Sequence, residues 1–306
     1  MFSYIVRRIV VCLPILLLVV TVIFFVFQLI PGDAADMYCG DEATPEEIAR
    51  TRERLGLDKP AIVQYTKYLS SLVRGDFGKS IYFRGPVIEQ IKRSYPNTVK
   101  LAVGAILLAT LGGLVLGTVS AVKHGTVIDH LSGVLAIVGI SIPNFWLGLL
   151  LMYVFSLKLG ILPIAGNATW KHYIMPVITL SAFSMAFITR MTRSSLLETI
   201  EADYVRTARA KGLSEKATII RHALRNALIP TVSVVGLRFG YMLGGAVIIE
   251  QVFVWPGMGR LFVLAVAQRD VAVVQGVLLI FAMSFLAVNL LVDVTYTLID
   301  PRIRYS

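Results

Sequence analysis

The sequence predicts an all-α membrane protein with six transmembrane helices and both termini on the cytoplasmic side. Three observations carry this. Of 306 residues, 56% are hydrophobic and only 16% charged, against roughly 25% charged in soluble domains. Six apolar runs approach or exceed the ~20 residues that a helix needs to cross hydrocarbon. Basic residues gather on the connections that this arrangement places inside. A net charge of +10 would suggest nucleic acid in a soluble protein. In a chain this apolar it orients spans and faces anionic membrane lipid instead, and no nucleic-acid partner is expected.

The first run, Ile9 to Ile30, follows Arg7 and Arg8. It exceeds the roughly 7–15 apolar residues of a secretory signal, so residues 1–30 read as a retained anchor. Five further runs are Leu101–Val122, Leu131–Leu157, Ile174–Thr189, Ala227–Ile249 and Val271–Val292. The fourth is short, and Tyr173 and Arg190 extend it at the interfaces. They make residues 99–299 a five-helix core, followed by a tail over 300–306. The connection between the fourth and fifth runs, residues 190–226, holds eight Lys or Arg against four acids. It is therefore placed in the cytoplasm, with Arg302 and Arg304 of the tail.

Residues 31–98 lie outside and carry ten basic and ten acidic residues. Thr44-Pro45-Glu46-Glu47 reads as a helix start and Gly56 as its stop. Ile62, Leu69 and Leu72 suggest a second short helix, and Pro86 to Ile91 a third. Gly78-Lys79-Ser80 imitates the end of a phosphate-binding loop. The glycine required five residues earlier is Val73, so nucleotide binding is rejected.

The other chemistry-bearing residues are sparse. Cys12 and Cys39 are separated by a span, too far for an intramolecular bridge. His124, His130, His172 and His222 form no metal pattern. No catalytic residue and no metal site is expected.

In the stretch Glu201 to Pro230, residues before Gly212 are compatible with a helix, Gly212 stops it with positive φ, and Ser214 caps a second helix. A helix–glycine–helix projection of this kind suits docking into another protein.

Four stretches carry a family resemblance: LIPGD (Leu29–Asp33), RTARAKG (Arg206–Gly212) with RHALRNALIP (Arg221–Pro230), FVWPGMGR (Phe253–Arg260) and DPRIR (Asp300–Arg304). Together they make the chain resemble, over nearly its whole length, the inner-membrane permeases of bacterial ABC importers. The likeness is strongest to the dipeptide, oligopeptide and nickel group with its glutathione permeases. The resemblance implies the type I importer permease fold in the cell inner membrane. It implies a second homologous permease subunit, two ABC ATPase subunits that bind ATP and Mg, and an extracytoplasmic peptide-binding protein. No cofactor is implied for this chain, nor an ATPase site of its own. Di- or oligopeptides are the implied cargo, with glutathione or a nickel complex as the alternative. It also makes Arg206, Thr207, Ala208, Arg209, Ala210, Lys211, Gly212, Leu213 and Ser214 the segment that docks on the ATPase. Arg206-Thr207-Ala208 stands where the family's Glu-Ala-Ala triplet falls, and peptide permeases often share this variant.

Three residues are candidates for the transport path. Arg238 lies about eleven residues into the fifth run, roughly 16 Å deep. A charge there faces either a polar cavity, meeting a peptide carboxylate, or a partner such as Asp293 of the sixth span. Relatives often carry Gln at this position. Asn144 follows Pro143, a break in the third run, and either faces the path or bonds a neighbouring helix. Glu250 and Phe253–Arg260 belong to the outer end; the resemblance makes this region a candidate outer gate or contact for the substrate-binding protein, the alternative being an interfacial loop cap. Trp170 and Trp255 fit an interfacial belt. Gly236, Gly240 and Gly244 form a small-residue face for helix packing, as do Gly113 and Gly117.

A stand-alone secondary transporter would show repeats and intramembrane acids, and only Asp293 stands well inside a run. A membrane enzyme would need a nucleophile–base pair or metal ligands, and none is evident.

Overall fold

The computed structural model describes residues 2–29, 39 and 43–299. The stretches Ile30–Asp33 and Asp300–Arg304, which carry most of the first and all of the last resemblance motif, lie outside them. Among the described residues, five helices are long and apolar enough to cross a membrane, and a bent helix pair supplies a sixth crossing.

The first span is α1 (Phe2–Leu29). Outside it stand α2 (Pro45–Leu55) and α3 (Ala61–Val73). The α2 start is a full capping box: the Glu47 N–H donates to the Thr44 hydroxyl, and the Thr44 N–H donates to the Glu47 carboxylate. Those Thr44 donors hold the Glu47 carboxyl below its ordinary pKa. Helix α3 leans on α1, where Tyr68 stacks on Phe24 and Tyr65 meets Thr21.

A two-residue ladder, β1 (Lys79–Ser80) against β2 (Gly85–Pro86), then leads into α4 (Val87–Val122). The expected third short helix is not separate. It is the first turns of α4, which runs 36 residues through the expected boundary at 98 and 99. Val87 and Ile91 are buried against Met258, Val273 and Val277, so a local apolar cluster extends the span outward. Ser80, the end of the phosphate-loop imitation, gives its hydroxyl to Asp270.

The third crossing departs most from expectation. Helix α5 (Val127–Ser141) and helix α6 (Asn144–Lys158) meet at 104°. Pro143 brings no N–H and pushes Ile142 out of the helical region, to φ −81° and ψ 122°. The last seven residues of α6, Met152–Lys158, widen into a π-helical turn.

Helix α7 (Lys171–Ile200) is longer at both ends than its apolar run. It packs along α4 where Gly113 and Gly117 sit against Ile188 and Thr192. A short helix α8 (Asp203–Ala210) follows. The fifth span, α9 (Glu215–Val252), begins at the Ser214 cap and includes a π turn over Thr218–Ala223. The second helix expected in the loop is therefore the base of the span itself. Helix α10 (Met258–Ala267) is short, and α11 (Val271–Ile299) is the sixth span. The main core is formed by α4, α7 and α9 around Leu101, Met175, Leu243 and Phe253.

Two of the three packing glycines meet a neighbour. A Cβ on Gly236 would stand 2.1 Å from Val292, and one on Gly240 2.9 Å from Phe285. Gly244 meets no neighbour among the described residues, so its expected packing role is not seen there. Gly236→Leu is expected to force α9 from α11 and lower the stability of the isolated chain by roughly 2 kcal/mol. Gly244→Leu should leave its melting curve in detergent unchanged.

Candidate coupling corner and candidate path

The corner is built around Gly212, whose φ of +80° reverses the chain between α8 and α9. The Gly212 N–H donates to the Arg209 carbonyl, and the Ala217 N–H donates to the Ser214 hydroxyl. Arg209 reaches across the corner to Glu215 with two hydrogen bonds, Nε to Oε2 at 3.1 Å and Nη2 to Oε1 at 2.8 Å. That contact raises the Arg209 pKa above its ordinary value. The projection is not free. Val205 is buried against Leu196, Ala223 and Ala227, which seats α8 on the ends of α7 and α9, and Ala208 is buried as well. The opposite face is exposed: Arg206, Thr207, Ala210, Lys211, Leu213 and Ser214. The corner therefore presents a mixed basic and apolar surface on a rigidly held loop.

Beside it, sequence reasoning missed a charge cluster. Asp129, at the start of α5, is only 4% exposed. It receives Arg193 through Nε at 2.6 Å and Nη2 at 2.8 Å, and hydrogen bonds from Ser120 at 2.6 Å and the Gly125 N–H at 3.0 Å. His124 Nδ1 lies 3.0 Å away. The group ties α4, α5 and α7 together at this end. Asp129 flanking an apolar run was the only available signal, and its partner stands 64 residues later.

At the opposite end, Glu250 does not line a cleft. It is fully buried, accepting the Thr98 hydroxyl at 2.6 Å, the Gly259 N–H at 2.7 Å and the Arg260 N–H at 3.1 Å. Thr98 in turn accepts the Met258 N–H. Gly257 stands so close that a Cβ would lie 2.3 Å from the Glu250 carboxyl. Trp255 is likewise buried rather than interfacial, donating from Nε1 to the Asn97 carbonyl. Trp170 is 73% exposed. This end also holds Asp270, which accepts the Ser80 hydroxyl and the Tyr82 N–H and caps α11 through the Val273 N–H. Both acids thus fasten the connections of this end to the spans.

Arg238 and Asn144 do come together. They line a cleft of about 220 Å³ with Phe183, Ser184 and Tyr241. The Arg238 guanidinium lies over Phe187, 4.0 Å from the ring centroid, and 5.0 Å from that of Phe183. Its Nε has no hydrogen-bond partner among the described residues. The expected alternative, a pair with Asp293, is not formed. Asp293 is taken by Arg8 at 2.5 Å, because α1 and α11 pack side by side.

The comparisons agree with this architecture. The family model described as "Binding-protein-dependent transport system inner membrane component" matches residues 113–305, and its N-terminal companion matches residues 1–102. The chain is 44% identical over 306 residues to the glutathione transport system permease protein GsiC of Salmonella paratyphi A, covering all of both chains. It is 43% identical, with the same coverage, to GsiC of Escherichia coli strain K12. Among solved structures, an inward-facing MetNI methionine ABC transporter aligns with a TM-score of 0.59 at 17% identity, over 70% of this chain and 97% of that one. An amino acid ABC transporter crystallised with histidines gives 0.56 at 17%, over 68% and 94%. Those two support the fold. The whole-length likeness and the family models make the chain a member of the binding-protein-dependent inner-membrane permeases, a multi-pass subunit of an ABC importer with the type I permease fold.

Proposed function

We propose that this permease forms, with a second homologous subunit, the path for a small peptide delivered by an extracytoplasmic binding protein, and that glutathione is the cargo. The observation that carries the cargo reading is 44% identity along the entire chain to a curated glutathione permease. Glutathione is a γ-linked tripeptide, so it narrows the di- and oligopeptide reading. In this proposal the Gly212 corner and both termini face the cytoplasm. Two soluble ATPase subunits bind ATP and Mg, and their closure pushes on the exposed face of Arg206–Ser214. The continuous backbone from that corner into α9 supports the assignment, because motion of the corner is passed directly to a span. ATP binding then shifts the population between inward- and outward-open bundles.

The test is uptake by the assembled complex in cells without other glutathione importers. Labelled glutathione should accumulate only with intact ATPase subunits, and unlabelled dipeptides or a nickel chelate should compete poorly. Equal competition by dipeptides would replace the cargo assignment. Accumulation without the ATPases would overturn the importer reading.

A further inference from the structure

One face of α7 carries the neighbours Phe183 and Ser184, then Phe187, Arg190 and Ser194 at further steps of three or four residues. Two clefts open on it. The smaller holds Arg238 and Asn144. The larger, about 830 Å³, lies nearer the Gly212 corner and is lined by His124, His130, Arg190 and Arg193 above Val134 and Ile137. Phe187 belongs to both sites: it lines the larger cleft and lies beneath the Arg238 guanidinium. Arg190 follows Phe187 by three residues, about 4.5 Å along the axis. The stripe is therefore continuous from mid-span to the bundle end.

Its charge has one sign. Asp129, the lone acid lining the larger cleft among the described residues, is occupied by Arg193, Ser120 and the Gly125 N–H. Arg190 is exposed and has no hydrogen-bond or ion-pair partner among the described residues. Arg238 rests on two aromatic faces, which offset part of its desolvation while leaving guanidinium donors for an anion.

We propose that Arg238 and Arg190 are successive carboxylate contacts along the path, so that cargo is handed from mid-span to the rim at the corner end through its negative charge. This rests on the reading of the chain as a small-peptide permease and adds which group of the cargo is read, and where. Two moderate sites in series suit conduction better than one deep site, because an anion must leave as readily as it enters. Guanidinium groups meet carboxylates in a bidentate geometry, which favours a free C-terminus over its amide. A carboxylate from the second permease subunit could satisfy Arg238 by the same chemistry, and the test separates the two sources.

The experiment uses the assembled complex with Cys12 and Cys39 replaced by Ser and Arg190→Cys introduced. Anionic sulfonatoethyl and cationic trimethylammonium methanethiosulfonates are applied from the side bearing the Gly212 corner. Each rate is normalised to that on free cysteine. The anionic reagent should be favoured, and Arg238→Gln should cut that preference roughly fivefold. Ser194→Cys, on the same stripe, reads the same preference if Arg190→Cys fails to assemble. In uptake, Arg238→Gln and Arg190→Gln should each raise KM for a cargo with a free C-terminal carboxylate and leave its amide unchanged. Unreactive thiols, or a preference indifferent to Arg238, would overturn the proposal. So would loss of subunit copurification in Arg238→Gln with an unchanged reagent ratio, which assigns Arg238 to the partner subunit. If the preference holds but glutathione is not carried, the cargo reading fails and the carboxylate track stands. If glutathione is carried without the preference, the track fails alone.

Discussion

Gly212→Val is expected to leave the subunit in the membrane at normal abundance and to reduce ATP-driven uptake by about tenfold or more. The cause is backbone conformation rather than crowding. No atom of the described residues lies within 4 Å of a Cβ built at Gly212, yet φ is +80°. A β-branched residue resists that region by roughly 1–2 kcal/mol, and relief comes only from rotating the corner. Rotation separates Arg209 from Glu215 and re-aims the exposed Lys211 and Leu213. Gly212→Asn, which tolerates the left-handed region, should retain most uptake. Uptake and ATP hydrolysis measured together on the reconstituted complex check this. Normal uptake per ATP in Gly212→Val would remove the corner from the transmission path.

The second large effect is expected at Glu250. Glu250→Ala strands the Thr98 hydroxyl and the Gly259 and Arg260 N–H groups in a buried site. Each stranded donor costs roughly 1–3 kcal/mol. The chain should lose several degrees of thermal stability in detergent, and protease sensitivity should rise around α10. Glu250→Gln keeps one acceptor oxygen and should fall between wild type and Ala. An unchanged melting curve with Ala would mean that the α9–α10 connection is held without Glu250, by contacts such as Trp255 and Pro256 with Asn97.

How far the sequence reached depended on how local each determinant is. The α2 cap, the positive φ of Gly212 and the Ser214 cap were legible because turn chemistry is set within a few residues. The spans were legible because apolar length has little other meaning. Pro143 marked a break, but the surrounding apolar run hid a bend of 104°. Helix α10 went unread because FVWPGMGR looked like a loop and its ten residues are too few to span. Pairings across the bundle were the least accessible. Asp293 was offered to Arg238 and belongs to Arg8, and the Asp129–Arg193 pair joins residues 64 positions apart. Nothing in single-sequence periodicity says which helix will lie beside which.

The union of the corner with the fifth span has a mechanical consequence. Glu215–Val252 covers 38 residues without a loop, about 57 Å of helix at 1.5 Å per residue, with a π turn near its foot and Pro230 beyond it. A tilt of about 5° at its foot sweeps the far tip by about 5 Å over that length. The tip is clasped by Thr98 of α4 and by the start of α10. Under the proposed coupling, a small swing on one side of the bilayer would arrive on the other as a displacement the width of a side chain, shared by three helices at once.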